Sequence, residues 1–193
     1  MKTAWLVAAL ALVAVALVPP AGARKEAVKD VKAVKRIKRE DAAIGLHLAR
    51  LLYQIDHHRE ETWRWQKVMQ RPRTAYAGSA KGVRSLAYRQ WVVNLWRQRA
   101  MRAKLQALNP PHKAQWLCIH RYEGSWRDPN APYYGGLQMD IEFQRTYGTG
   151  LLRAKGTADH WTPIEQMWVA ERAFKTRGFW PWPNTARFCG LLA

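Results

Sequence analysis

The sequence predicts a mainly α-helical protein, and three observations carry that reading. Apolar residues recur every three to four positions over 42–70 (Ile44, Leu48, Leu51, Leu52, Ile55) and again over 85–108 (Leu86, Val92, Val93, Trp96, Met101), the period of one buried helix face. Thr162-Pro163-Ile164-Glu165 is a capping box with proline at the first helical position. Residues 113–123 read as a short helix closed by Gly124, the usual glycine exit.

Taken in order, the chain opens with Lys2, an apolar run from Ala4 to Val18, Pro19-Pro20 and Ala21-Gly22-Ala23. That is the pattern of a secretory signal peptide, residues 1–23, cut after Ala23. The apolar run is shorter than the ~20 residues a bilayer span needs. Residues 24–41 alternate Lys or Arg with Val and Ala and carry no aromatic residue, which predicts a solvated basic tail or a helix frayed in isolation. Residues 42–112 follow as a basic helical region, expected to be a hairpin. Its break is the Pro-, Gly- and Ser-containing stretch from Arg71 to Gly82, and Asn109-Pro110-Pro111 ends it. Residues 113–193 form the last domain. Within it a helix runs from Pro163 to Arg177, with Ile164, Met167, Trp168 and Phe174 toward the core and Gly178 as its stop.

The 193 residues hold 32 Lys and Arg against 14 Asp and Glu, a net charge of +18. A charge that large implies an anionic partner. It is unevenly spread: residues 24–114 carry 22 basic and 7 acidic side chains, whereas residues 115–193 carry 9 and 7. The expected partners of the basic half are anionic wall polymers or a membrane surface. Two readings stay open there, a structural brace and a cationic binding module. Nucleic acid is not expected, because a secreted chain with a nearly neutral C-terminal half does not meet it. The chain has no H-E-x-x-H, no Gly-rich phosphate loop, no G-x-S-x-G and no Cys-x-x-Cys. His57-His58 are neighbours on a helix and point apart, so no metal site is expected, and no cofactor is implied.

The segment that carries chemistry begins at Trp116. Glu123 ends a helix, at the negative end of its dipole, where the neutral carboxylic acid is favoured, and Tyr122 and Trp126 are placed to desolvate it further. A protonated acid is what a glycosidic oxygen needs to leave. An Asp-Pro-Asn-Ala-Pro loop follows, then Tyr133-Tyr134-Gly135-Gly136-Leu137-Gln138. Gln138 offers an amide to a sugar N-acetyl or hydroxyl group, and eleven Trp in the chain supply flat surfaces that stack on sugars or fill cores. On chemistry alone, a surface glutamate beside an ordinary turn fits as well as a carbohydrate site. Glu171 reads as a structural carboxylate paired with Lys175, and His120 as a surface residue. The Phe179–Asn184 run is expected to serve both the core and the cleft.

The order of these motifs resembles the catalytic domain of the resuscitation-promoting factors, small transglycosylase-like domains of lysozyme fold in secreted actinobacterial proteins. The resemblance rests on Glu123, the loop 124–132, Tyr133 to Gln138, Val169-Ala170-Glu171-Arg172 and Gly178-Phe179-Trp180-Pro181-Trp182-Pro183. It covers roughly residues 113–193. The order of Glu, then Gly-Leu and Gln, is also similar to lytic transglycosylases and goose-type lysozymes.

The resemblance implies an α+β, lysozyme-like domain that cleaves the β-1,4 bond from N-acetylmuramic acid to N-acetylglucosamine in peptidoglycan, a glycosidase or lytic transglycosylase with Glu123 as catalytic acid. Substrate contacts are expected from Trp126, Asn130, Tyr133, Tyr134 and Gln138. Asp128 and Asp140 are the candidates for a second carboxylate. The cysteines depart from the family: Cys118 and Cys189 are each displaced by about one helical turn, and their joint shift implies that the family's disulfide survives one turn along. The loop 124–132 is also shorter than the family's. The competing expectation is a secreted, non-catalytic wall-binding or growth-signalling module.

The charge distribution yields one test. Binding of the protein to anionic cell walls is expected to weaken as ionic strength rises. A pull-down that is indifferent to salt would remove the electrostatic tether.

Overall fold

The computed structural model describes residues 21–76 and 82–193, with side chains from residue 29 onward. The expected signal peptide therefore lies outside the described residues except for 21–23, which open the first helix. The elements are α1 (Ala21–Val68), α2 (Leu86–Leu108), α3 (Lys113–Glu123), β1 (Tyr133–Tyr134), β2 (Met139–Asp140), α4 (Ile141–Lys155), a 3-10 turn (Ala158–His160), α5 (Pro163–Arg177) and α6 (Pro183–Phe188). The protein is thus mainly helical, with one disulfide. No helix among the described residues is long and apolar enough to cross a membrane.

The chain divides into two compact units, Met1–His47 and Leu48–Ala193. In the first, the described residues are helical through the stretch 24–41, the second of the two expectations there, a solvated tail or a helix. Lys, Arg, Glu and Ala in the stretch are strong helix formers, and they outnumber the weaker Val, Ile and Asp. Every side chain described there is exposed, Val31, Val34, Ile37, Ile44 and Leu46 among them.

In the second unit the remainder of α1 packs on α2 through Leu51, Ile55, Val92, Val93 and Trp96. The two helices are not a hairpin. Arg89, near the start of α2, donates to the Leu48 carbonyl (2.8 Å), and Gln106, near its end, accepts from Arg71 (2.8 Å). The helices therefore run parallel, and residues 71–76 turn back along α1. Their return is held by side chains of α1 itself. Trp63 Nε1 donates to Thr74 O (3.0 Å), Gln66 exchanges two bonds with Thr74, and Arg59 lies over the Tyr76 ring, 4.6 Å from its centroid. A hairpin expectation overlooks such a return because it assumes that the shortest connection is taken.

Residues 113–193 pack around Trp116, Trp161 and Trp182, all buried, with Ile119, Leu137, Met139, Met167 and Val169. Each of these indole N–H groups is satisfied: Trp116 by Glu171 Oε1 (2.9 Å), Trp161 by Gly156 O (2.8 Å) and Trp182 by Leu137 O (2.6 Å). An unpaired indole in such a core would lose about 1–3 kcal/mol. Ser85 caps α2, accepting from the Tyr88 N–H. Thr162 and Glu165 form the expected capping box of α5. The helix α4, which the sequence did not announce, is interrupted at Gly148 and capped by Asp140. Met167 is fully in the core, whereas Ile164 and Phe174 lie at its edge. Trp168 is half-buried and turns instead toward α2, donating to Ala107 O at 2.7 Å.

Cys118 of α3 and Cys189, just beyond α6, form a disulfide with Cα atoms 6.0 Å apart, the pairing the resemblance implies. It closes a segment with a sequence separation of 71 residues. The loop-entropy relation gives that closure about 4 kcal/mol. Replacing both cysteines by alanine is expected to lower unfolding stability by roughly that amount, read from urea titration. A loss below about 1 kcal/mol would mean that the unfolded chain is already restrained without the bridge.

Candidate active site

Glu123 is the last residue of α3, and Gly124 follows with φ +140°, backbone that an L side chain rarely adopts. The carboxylate is half-buried, and its Oε1 accepts from the Thr185 hydroxyl at 2.7 Å. Thr185 is buried in α6, which the disulfide ties to α3. The acid is thus anchored from a second element rather than left free at a helix end.

It opens onto a cleft of about 270 Å³ lined by Glu123, Tyr133, Gln138, Pro181, Trp182 and Asn184. A smaller compartment of about 80 Å³ continues past Tyr133, Gln138, Pro181 and Trp182 to reach Asp140 and Arg177. The Phe179–Asn184 run divides as the sequence suggested. Trp182 is buried yet borders the cleft, Phe179 packs on the core, and Pro181 and Asn184 line the opening.

The loop 124–132 is organised by Asp128. Its Oδ1 accepts from the Asn130 backbone N–H (3.1 Å) and amide (2.5 Å), and its Oδ2 accepts from Gln138 Nε2 (2.8 Å). Its backbone carbonyl accepts from Gly135 N (2.8 Å). These bonds favour the charged form. The Gln138 amide first, and the Asn130 backbone N–H after it, hold the Asp128 carboxyl below the usual aspartate range. A Cβ on Gly124 would lie 3.7 Å from Gln138 Nε2 and 3.8 Å from Asp128 Oδ2, so this pair sits beside the residue that follows Glu123.

The other predicted residues divide between cleft and core. Tyr133 is half exposed and borders both compartments. Tyr134 and Trp126 pack against the core and do not line the cleft. Trp126 stacks on His120, ring centroids 3.9 Å apart, and His120 Nδ1 donates to Gly136 O at 3.1 Å. His120 is therefore half-buried and structural rather than a surface residue. Tyr122 is exposed and tilts on Phe188 instead of covering Glu123. Asn130 spends its amide on Asp128. Asp140 borders the smaller compartment, but its Oδ1 caps α4 by accepting from Phe143 N (2.7 Å).

Sequence reasoning missed Gln166. It is fully buried; its Oε1 accepts from Gly136 N (2.9 Å), and its Nε2 reaches the carbonyls of Trp126 (2.9 Å), Ala158 (2.8 Å) and Trp161 (3.2 Å). The only signal for it was a polar residue in helical register with Ala170 and Ala173 on the buried face of α5. The glycine pair is what admits it: a Cβ on Gly135 would stand 2.6 Å from Gln166 Oε1, and one on Gly136 2.6 Å from His120 Nδ1. Glu171 is the structural carboxylate that was expected, with different partners. It accepts from His112 N (2.7 Å), His112 Nδ1 (3.0 Å) and Trp116 Nε1, and no bond joins it to Lys175.

A larger cavity, about 370 Å³, lies between the last turn of α1 and the α4–α5 pair and shares no residue with the Glu123 cleft. Arg172 lines it, and burial pulls its pKa down to about 10. Among the described residues the one grouping of three metal-type ligands is His57, His58 and Glu61, away from the cleft.

Compared with known proteins, the chain matches no family model, no curated protein and no solved structure.

The Asp128–Gln138 bond generates a titration test. A carboxyl whose folded pKa is depressed contributes stability above its unfolded pKa and loses it as pH falls through the folded value. Gln138→Leu is expected to raise the Asp128 pKa toward the ordinary range and to make the loop loosen at higher pH on acidification. Carboxyl carbon NMR reads this directly. An unchanged pKa would assign the depression to Asn130 alone.

Proposed function

We propose that the protein cleaves the glycan strand of peptidoglycan at the β-1,4 bond from N-acetylmuramic acid to N-acetylglucosamine, with Glu123 as the single acid and base. The observation that carries this reading is the engagement of the carboxylates. Glu123 faces an open cleft and is held only by a hydroxyl, whereas Asp128 is tied by Gln138 and Asn130, and Asp140 caps a helix. A two-carboxylate glycosidase needs a second acid about 5–9.5 Å away and free to act. Neither aspartate is free in that sense, and this supports one-acid chemistry.

Glu123 then serves in two steps. Its proton passes to the glycosidic oxygen as the bond to the muramic acid C1 breaks. The resulting carboxylate takes the proton of that sugar's 6-hydroxyl, whose oxygen closes on C1 to form a 1,6-anhydro end. Atoms and charge balance without water, and Glu123 is returned protonated. Thr185 is a positioning residue that aims the carboxyl group. Gln138 has committed Nε2 to Asp128 and Gly135, so Oε1 is the atom it offers to a sugar N–H or hydroxyl. Tyr133 gives the cleft an exposed aromatic wall. The reading places the protein outside the cell at its wall, where the basic helix of the first unit would hold it on anionic polymers.

The test is mass spectrometry of purified peptidoglycan incubated with the protein and with Glu123→Gln. The expected result is anhydro-muropeptides from the wild type alone, with glycan binding retained by the variant. Reducing-end products would replace the one-acid route by hydrolysis. Glycan binding without any product would establish a non-catalytic wall-binding module instead. Thr185→Val is expected to lower kcat about tenfold, the effect of losing one hydrogen bond to a charged group, with little change in KM.

A further inference from the structure

His57, His58 and Glu61 occupy one turn of α1, outside everything assigned to the Glu123 cleft. Adjacent residues on a helix project in different directions, which argues against shared ligation by His57 and His58. The structure overcomes that divergence through the acid that follows. Glu61 is four residues from His57 and three from His58, and both spacings are contacts on a helix surface. Its Oε2 lies 3.8 Å from His57 Nε2 and 3.8 Å from His58 Nδ1. All three ligand atoms fall within 4.8 Å of one another.

These separations are too long for hydrogen bonds, and His58 Nδ1 is buried without a hydrogen-bond partner. A buried polar atom left unpaired in a folded protein calls for a reason. We propose that His57 Nε2, His58 Nδ1 and Glu61 Oε2 bind a divalent transition-metal ion of the zinc class. Tetrahedral zinc, with bonds of about 2.0–2.2 Å to nitrogen and oxygen, sets its ligand atoms roughly 3.4 Å apart. To reach that geometry the two carboxylate–imidazole distances close by about 0.4 Å, and the imidazole–imidazole distance, which lies within 4.8 Å, closes by up to about 1.4 Å.

Two imidazoles and one carboxylate favour zinc, copper or nickel over magnesium or calcium. The side chains of His57 and Glu61 are 55% and 35% exposed, so a fourth position stays open to water. Arg64 stands 3.7 Å from the other carboxylate oxygen, Oε1, and leaves Oε2 to the ion. Tyr53 stacks on the His57 ring, centroids 6.3 Å apart, and steadies it.

The experiment is isothermal titration of the untagged full chain with zinc chloride, and with magnesium chloride as the comparison. One zinc per chain is expected, weakened at least tenfold by His58→Ala and by Glu61→Gln, with magnesium silent. His57→Ala changes an exposed side chain and carries the same expectation should His58→Ala fail to fold, which far-UV circular dichroism reports. Replacing zinc by cobalt should give a visible absorption band that the same variants abolish. Absence of zinc binding overturns the proposal. So does binding that survives the triple replacement His57→Ala, His58→Ala and Glu61→Gln, since the ion would then sit at another histidine.

Discussion

The buried amide of Gln166 is the interaction on which the C-terminal half depends. One side chain joins α5 to the loop that follows Glu123, to the glycine turn between the two short strands and to the 3-10 turn before α5. Four backbone groups lie within hydrogen-bond reach of it in the buried core. Loss of the amide would leave the Gly136 N–H without that partner, at about 1–3 kcal/mol, whereas the Ala158 carbonyl would keep its bond from Trp161 N. This also explains the two glycines. Their absent side chains are the space in which Gln166, His120 and Trp126 make contact with the turn.

Glu171 performs the same service one turn further along α5. It gathers the backbone and ring of His112 and the indole of Trp116, so that the start of α3 is seated on α5. The middle of α3 is tied to the end of α6 by the Cys118–Cys189 bridge, and its last residue is tied to α6 by the Thr185–Glu123 bond. The candidate acid therefore stands at the end of a helix fixed at both termini. Its position is set by rigid elements, while the neighbouring loop is braced internally through Asp128. That division suits chemistry that needs one group placed accurately and the surrounding surface shaped for a polymer.

Much was legible in the chain itself. The exits of α3 and α5 at glycine and the capping box at Thr162 are local decisions, made by hydrogen bonds within three or four residues, and the structure has them where the sequence pattern puts them. The apolar period also picked out Leu51, Ile55, Val92, Val93 and Trp96, which form the α1–α2 contact, whereas Ile44, Leu86 and Met101 of the same pattern are exposed. The direction in which α2 runs is a different matter. It follows from where Trp63, Gln66 and Arg59 hold the returning segment, and no periodicity encodes that path.

What the sequence determined by itself is the helical class, the helix ends, the separation of a strongly basic half from a nearly neutral one, and the placement of Glu123 at a helix terminus. Those properties depend on neighbours in the chain or on composition alone. Only the tertiary structure decided which polar groups are spent on structure and which remain free. Trp126 and Tyr134 turn to the core, Asp128 and Asp140 are engaged, and Glu123 is left facing the cleft. The physical reason is the same throughout: a side chain's availability is set by the donors and acceptors that folding brings within about 3 Å of it, and most of these come from distant parts of the chain.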